Sequence, residues 1–428
     1  MATNERERSR FSPDQIRLHG WLAPPVIGVG FMVVAAGFGQ FGAVAALGDV
    51  AEELGEVRDG ETIAEQAGLS GTALGIGLAI IRLASLFALP LSALADRLGR
   101  RQLLLWCCVL GLVATASASL SPTYWWFVAL FAISRPFLTA TDTVGAVAAA
   151  EQTGAADRAK ALALIAAAFG IGAGSVAIVR GIGADALGFR GVFALALVPL
   201  LIVPFAVRRV AEPDRYRVAE VAEEKPLPIL GAIGSQFRRR LAILVIVSFA
   251  VAAVTGPANS FIFLYGERIL DLSPAVLAIA VVAGGPAGLA GLLLGRWGSD
   301  RLGRRPTAAL GLVLIASAGI LTYSGGVVAA LGGYLAAITV GSVFIVGMTA
   351  LSAELFPTEV RSAVAGWLVS SGVLGAVAGL AAFGTIADRA DAFGVAAVVV
   401  FIPAALMAVF LALIPETRGR ELEDWARD

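Results

Sequence analysis

Inside the apolar run 124–149, YWWFVALFAISRPFLTATDTVGAVAA, stand an arginine and an aspartate, Arg135 and Asp142. Seven residues are two helical turns, so both fall on one face, with Thr139 between them. An arginine beside a carboxylate away from water is proton-carrying chemistry: burial favours the neutral acid, the guanidinium favours the ionised one, and their balance sets where the proton leaves. Ionisable groups at such positions are costly and are functional candidates by default. A third one, Arg82, lies in the run 70–95 with no obvious sequence partner. Two arginines on one cavity would make it positive, and guanidinium geometry suits carboxylate and phosphate. Arg82 paired with Asp142 would instead leave it near neutral. Gln40 is the strongly polar side chain of the first apolar run, and Asn259 and Tyr265 of the seventh are expected to face Arg135 across the cavity. The expected substrate and proton-coupling set is therefore Gln40, Arg82, Arg135, Asp142, Asn259 and Tyr265, with Arg135 holding Asp142 and Asp142 carrying the proton. The plainer alternative is a buried pair that only fixes packing.

The elements that must position these groups follow from composition. Of the 428 residues, 58% are hydrophobic and 15% charged, whereas soluble domains run near 45–50% and 25%. The apolar residues come in blocks of about 20, the length that crosses a hydrocarbon core. Twelve helices are expected, at 23–48, 70–95, 102–120, 124–149, 159–181 and 190–207, then 241–265, 274–298, 306–324, 328–352, 361–386 and 393–414. The chain reads as an all-α integral membrane protein. The first run is longer than a signal-peptide core and has no small-residue cleavage site, so it is expected to be retained.

Basic residues orient the spans. With both termini on one side, that side carries 24 Lys and Arg and the other five; such loops stay in the cytoplasm. The loop from Asp49 to Glu65 agrees, with seven acids and one arginine. The expectation is a multi-pass protein of the plasma (inner) membrane with cytoplasmic termini.

The chain also repeats itself. DRLGRR occurs at Asp96–Arg101 and again at Asp300–Arg305. Glu151 and Arg158 stand seven apart, as do Glu354 and Arg361; Gly172/Gly375, Asp185/Asp388 and Gly191/Gly394 share an offset of 203. A fixed offset through several landmarks means two copies of a six-span unit. The expected architecture is two pseudo-symmetric six-helix bundles, 1–207 and 241–428, joined by a cytoplasmic linker at 208–240, with the substrate site between the repeats. Gly99 and Gly303 permit the tight turn that aims the DRLGRR charges. Those arginines can meet the nearby aspartates or partners in the other bundle.

These residues resemble the major facilitator superfamily across nearly the whole chain. SALADRLGRRQLL is similar to the family's signature between helices two and three, with Ser92 where a glycine usually begins it. GRWGSDRLGRRP is its second copy, with Arg296 at that place. AELFPTEVRSAVAGW and PETRGRELED resemble sugar porters and metabolite:proton symporters. The resemblance implies a secondary transporter whose loop charges latch its halves during alternating access. It places Asp96, Arg100, Glu151, Arg158, Asp300, Arg304, Glu354, Arg361 and Glu416 in the gating set. An arginine early in helix four also resembles one that the family links to proton coupling. The chain departs from the sugar-porter pattern in two places: its first span has no buried acid, and its eighth, LAIAVVAGGPAGLAGLLLG, has almost nothing polar.

Other chemistry is set aside. GFGQFG at 37–42 lies inside a span rather than between a strand and a helix, so it is not a dinucleotide site. Cys107 and Cys108 are adjacent and cannot easily pair, and His19, the one histidine, precedes the first span, where an interfacial place is expected. No P-loop, metal-ligand cluster or hydrolytic triad appears. The expected function is transport of a small organic solute, anionic by the arginine argument, coupled to protons. The alternatives are a drug/proton antiporter exporting amphipathic compounds and a non-transporting membrane sensor. No enzyme activity, cofactor, metal or nucleic-acid partner is expected, only substrate, protons and the lipid bilayer, and the chain is expected to act as a monomer.

Overall fold

The structure, a computed structural model, describes residues 18–55, 62–201, 203–212, 234–357 and 360–419. Residues 213–233 of the expected linker lie outside the described residues, as does Arg58.

Among the described residues, twelve helices are long and apolar enough to cross a membrane. In chain order they are α1 (Pro24–Ala45), α2 (Gly71–Leu98), α3 (Arg100–Leu120), α4 (Tyr124–Gln152), α5 (Ala155–Gly183) and α6 (Gly188–Ala206), then α7 (Ser235–Arg268), α8 (Pro274–Arg301), α9 (Arg304–Thr322), α10 (Val327–Glu354), α11 (Arg361–Ala390) and α12 (Phe393–Leu413). All twelve expected spans are present. Large apolar side chains remain on the outside, among them Ile182, Leu201 and Val328, at 85%, 78% and 88% exposure. Such a surface belongs against lipid. Cys107 and Cys108 are free and buried. His19 sits before α1, where its backbone N–H donates to Gln152 O at 2.8 Å and straps the chain to the end of α4.

Backbones inside each bundle approach closely because glycines remove the Cβ at their crossings, as is common between membrane helices. In the first bundle Gly172 of α5 lies against Val34 of α1, and a Cβ built there would be 2.0 Å from Val34 O. In the second, Gly375 of α11 lies against Phe249 of α7, where the same Cβ would be 2.1 Å from Phe249 O. The two glycines are 203 residues apart, so the sequence repeat is a repeat of helix crossings.

The bundles meet chiefly at one face. Gly71 and Gly75 of α2 pack on Gly384 and Leu380 of α11, and Gly181 of α5 packs on Ala275 and Ala278 of α8. The short helices Leu47–Leu54 and Ile63–Ala67 lie over the same face, against the last turns of α7 and α11. This face, rich in carboxylates, is called the acidic face here; the DRLGRR loops lie on the opposite, basic face.

Adding a branched side chain at either crossing must push two backbones apart. Gly172→Val and Gly375→Val are each expected to cost about 1–3 kcal/mol. Thermal unfolding of the detergent-purified variants checks this, with Gly170→Val, which meets open space within 4 Å, as the comparison that keeps the wild-type midpoint.

Candidate functional site

A cavity of about 360 Å³ lies between the bundles. Its polar lining is Gln40 of α1, Arg82 of α2 and Arg135 of α4 from one bundle, and Thr255, Asn259 and Ser260 of α7 from the other. No lining residue comes from α8, in keeping with that span's apolar sequence. Pro136 stands beside Arg135 within α4; lacking an N–H, it removes one intrahelical bond there. Gln40 ties α1 to α4 in three ways. Its Nε2 donates to Leu138 O at 3.1 Å, its Oε1 accepts from Thr139 Oγ1 at 3.5 Å, and its carbonyl accepts from Arg135 Nη1 at 3.2 Å. Both Arg82 and Arg135 keep a buried Nε with no hydrogen-bond partner. Neither has a carboxylate within 4.0 Å among the described residues.

The expected Arg135–Asp142 ion pair is therefore not formed. Two turns share a face but are separated by about 10.5 Å of helical rise, and Arg135 bonds to Gln40 instead. Asp142 is half-buried, does not line the cavity, and lies further along α4 toward the basic face. Asn259 does line the cavity, with its amide Nδ2 donating to Thr255 O at 2.9 Å. Tyr265 does not. The helix of α7 is interrupted at Phe261, and the turn beyond carries Tyr265 into an aromatic cluster, 5.1 Å from the Tyr323 ring and 5.5 Å from Phe393. Tyr323 Oη donates to Ala258 O at 3.0 Å, which satisfies a carbonyl near the interruption, as any break at membrane depth requires.

Below the DRLGRR motifs the structure shows one device built twice. Arg100 meets Asp96 at 2.8 Å and Glu151 at 3.1 Å; Arg304 meets Asp300 at 3.6 Å and Glu354 at 3.3 Å. These four ion pairs each join residues of one bundle. A second carboxylate caps the helix that follows. Glu212 accepts from Arg100 N at 2.6 Å and Arg101 N at 3.0 Å, and Glu416 accepts from Arg304 N at 2.8 Å and Arg305 N at 3.1 Å. Free N–H groups and the helix dipole favour an anion at such a terminus. Gly99 and Gly303 have φ of 90° and 112°, and a Cβ on either would come within 2.8 Å of the capping carboxylate. Sequence reasoning missed Glu212, although it stands 204 residues before Glu416, the same offset that separates the DRLGRR copies. Arg361 Nε donates to Phe356 O at 3.0 Å, and Arg158 is exposed.

The acidic face carries a network that the sequence had presented only as loop charge. Arg180, 1% exposed, donates Nε and Nη2 to Asp49 at 2.7 and 2.6 Å, and it also grips Glu267 of the other bundle, Nη2 to Oε2 at 2.7 Å. Arg268 crosses back to Glu52. Asp388 accepts from Gly71 N at 3.1 Å and Thr72 Oγ1 at 2.9 Å, and Asp391 accepts from Ile63 N at 2.7 Å. All of these bonds except those from Arg180 to Asp49 join the two bundles.

The family is decided by sequence pattern: that of the Major Facilitator Superfamily matches residues 29–339. The chain belongs to this superfamily. It is a membrane transporter and not an enzyme. Two curated relatives are themselves named as transporters. It is 25% identical to a Haemophilus influenzae protein whose name assigns it to metabolite transport, over 77% of this chain and 84% of that one. It is 24% identical to a Cupriavidus pinatubonensis protein named "Probable 4-methylmuconolactone transporter", over 77% and 78%. The inward-open xylose transporter XylE of E. coli has the same fold, with a TM-score of 0.70 at 18% identity, covering 94% of this chain and 98% of that one.

The Arg180 bridge makes a direct prediction. Truncating one partner of a buried, hydrogen-bonded ion pair costs about 2–5 kcal/mol. Arg180→Ala is expected to loosen the acidic face and to speed thiol labelling of a Thr72→Cys reporter at least tenfold relative to the reporter alone. An unchanged labelling rate would show that the bridge does not hold the face closed.

Proposed function

We propose that this transporter carries a small organic anion across the plasma membrane by alternating access, coupled to protons. The observation that carries the reading is the pair Arg82 and Arg135. Both line a cavity between the bundles, and neither has a carboxylate partner among the described residues. An unpaired guanidinium in a poorly hydrated site is costly, and a bound carboxylate or phosphate would supply what each lacks. Asn259, Thr255 and Ser260 present hydrogen-bonding groups from the opposite wall, so one solute would engage both bundles. A cavity of about 360 Å³ is at the small end of ligand sites. The named solutes of two relatives, xylose and 4-methylmuconolactone, are small organic molecules too.

In this reading residues 1–207 and 241–428 move as two bodies about the 208–240 linker, with both termini in the cytoplasm, as the 24 basic residues on that side favour. The closed acidic face would then be the outer one. On the return stroke the outer bridges part, and Asp96, Arg100, Glu151 and Arg158 close toward Asp300, Arg304, Glu354, Arg361 and Glu416 at the cytoplasmic ends. Asp142 is the proton carrier, without an ion pair among the described residues and two turns from Arg135, whose interaction with the solute its charge would weaken. The protein works as a monomer.

Liposomes holding the protein and a pH-sensitive dye test this with separate pools of carboxylates, sugars, amino acids and cationic drugs. Proton entry is expected with the carboxylates, abolished by Asp142→Asn. Arg135→Gln is expected to weaken the apparent affinity for the active anion about tenfold or more, the worth of a lost charged hydrogen bond. A response confined to cationic drugs would overturn the reading in favour of a drug/proton antiporter. A response that Asp142→Asn leaves intact would remove Asp142 from coupling.

A further inference from the structure

A second cavity, of about 670 Å³, opens between α7, α11 and α12. Its walls are apolar, with Phe249 from α7, Trp367 and Leu374 from α11, and Pro403, Met407 and Phe410 from α12. The two polar residues in it are already engaged: Ser370 Oγ donates to Gly366 O at 2.8 Å and Ser371 Oγ to Val245 O at 2.7 Å. The groove thus offers an occupant hydrocarbon contact and little else. It is separate from the substrate cavity. On α7 the groove takes Val245, Ile246, Phe249, Ala250 and Ala253, whereas the cavity takes Ala252, Thr255, Gly256, Asn259 and Ser260, so the groove lies further along the helix toward the basic face. Phe249, Trp367 and Leu374 are 39%, 40% and 47% exposed, so the groove opens outward onto the lipid-facing surface.

Charge says which hydrocarbon. Arg238 and Arg239 precede Val245 and Ile246 by seven residues, so they continue the groove's stripe two turns toward the basic face. That is about 10 Å of helix, the step from acyl chain to headgroup. Both arginines are exposed, and neither has a carboxylate partner among the described residues. No acidic residue stands in the first turn of this helix, where the dipole already disfavours cations and favours an anion. A tryptophan, Trp367, lies near the same end of α11, as interfacial tryptophans do.

We infer that the groove between α7, α11 and α12 binds one anionic phospholipid, its phosphate at Arg238 and Arg239 and an acyl chain along Phe249, Leu374 and Met407. A zwitterionic lipid brings its own cation to the arginines and gains less. The lipid lies beside the α7–α11 crossing, where Gly375 and Gly379 meet Phe249 O and Ala253 O. Both helices also line the substrate cavity, so the occupant backs a joint that transport must move.

Native mass spectrometry of the detergent-purified protein tests this, with phosphatidylglycerol and phosphatidylcholine of identical acyl chains offered in equal amounts. The wild type is expected to retain phosphatidylglycerol over phosphatidylcholine by about fivefold for each arginine, the worth of one basic side chain near an anionic surface. Arg238→Gln with Arg239→Gln is expected to erase the preference, and Arg238→Lys with Arg239→Lys to keep it. Leu374→Trp, which fills the groove and leaves the charges, is expected to lose the retained lipid, and excess inorganic phosphate is expected not to displace it. Equal retention of the two lipids by the wild type overturns the proposal. So does a preference that survives both the double glutamine variant and Leu374→Trp. Displacement by phosphate would make the site a free-anion site rather than a lipid site.

Discussion

A membrane offers no water to a stranded charge, so a guanidinium buried within these spans has to be matched or has to face a cavity. Arg180 shows the matched case at its most demanding. At 1% exposure it holds Asp49 of its own bundle and Glu267 of the other. One cation shared by two bundles makes the acidic face a joint rather than a seam. The glycine contacts at Gly71 and Gly384 let the backbones under it touch, and Asp388 and Asp391 add bonds from the end of α11 to backbone N–H groups of the first bundle. The cavity lined by Arg82 and Arg135 lies on the basic-face side of that joint, so its dimensions follow from where the joint holds the helices.

The basic face solves a different problem. A charged turn between two spans must leave its helix without exposing the first N–H groups of the next. Here a glycine at positive φ turns the chain, and a distant glutamate, Glu212 or Glu416, takes two backbone N–H groups at once. The arginine that follows is then free to reach the aspartate and glutamate of its own bundle. That is why the same six letters occur twice: a Cβ at the glycine would collide with the capping carboxylate, and a neutral cap would leave the helix dipole unanswered.

Between the two faces the bundles are unequal. The first contributes Arg82, Arg135 and Gln40 to the cavity, and the second contributes small neutral groups from α7. The interruption of α7 at Phe261 supplies part of the difference. It keeps Asn259 and Ser260 at the cavity, while the continuing turn directs Tyr265 toward Tyr323 and Phe393. Repeats that share their crossings have thus diverged in their lining, as an asymmetric solute would require.

The twelve spans, the two-bundle architecture and the doubled DRLGRR device were legible in the sequence because each rests on local rules: apolar length, basic-residue asymmetry and a constant offset between repeats. That Arg82, Arg135, Gln40 and Asn259 line one cavity was also legible, since a polar residue in an apolar run stands out against its neighbours. Partners were not. Arg135 and Asp142 share a helical face, yet rise along the axis keeps them apart, and Arg135 takes Gln40 from another helix. Tyr265 followed a break in α7 one turn past Gly256 and Pro257, and those residues do not say which way the continuing turn points. Arg180 looked like one more loop charge, because its worth depends on Asp49 and Glu267, 131 and 87 residues away. Which residues are buried in the membrane is a property of segments, and sequence carries it. Which charge meets which is a property of how helices cross, and only the packed bundles decide it.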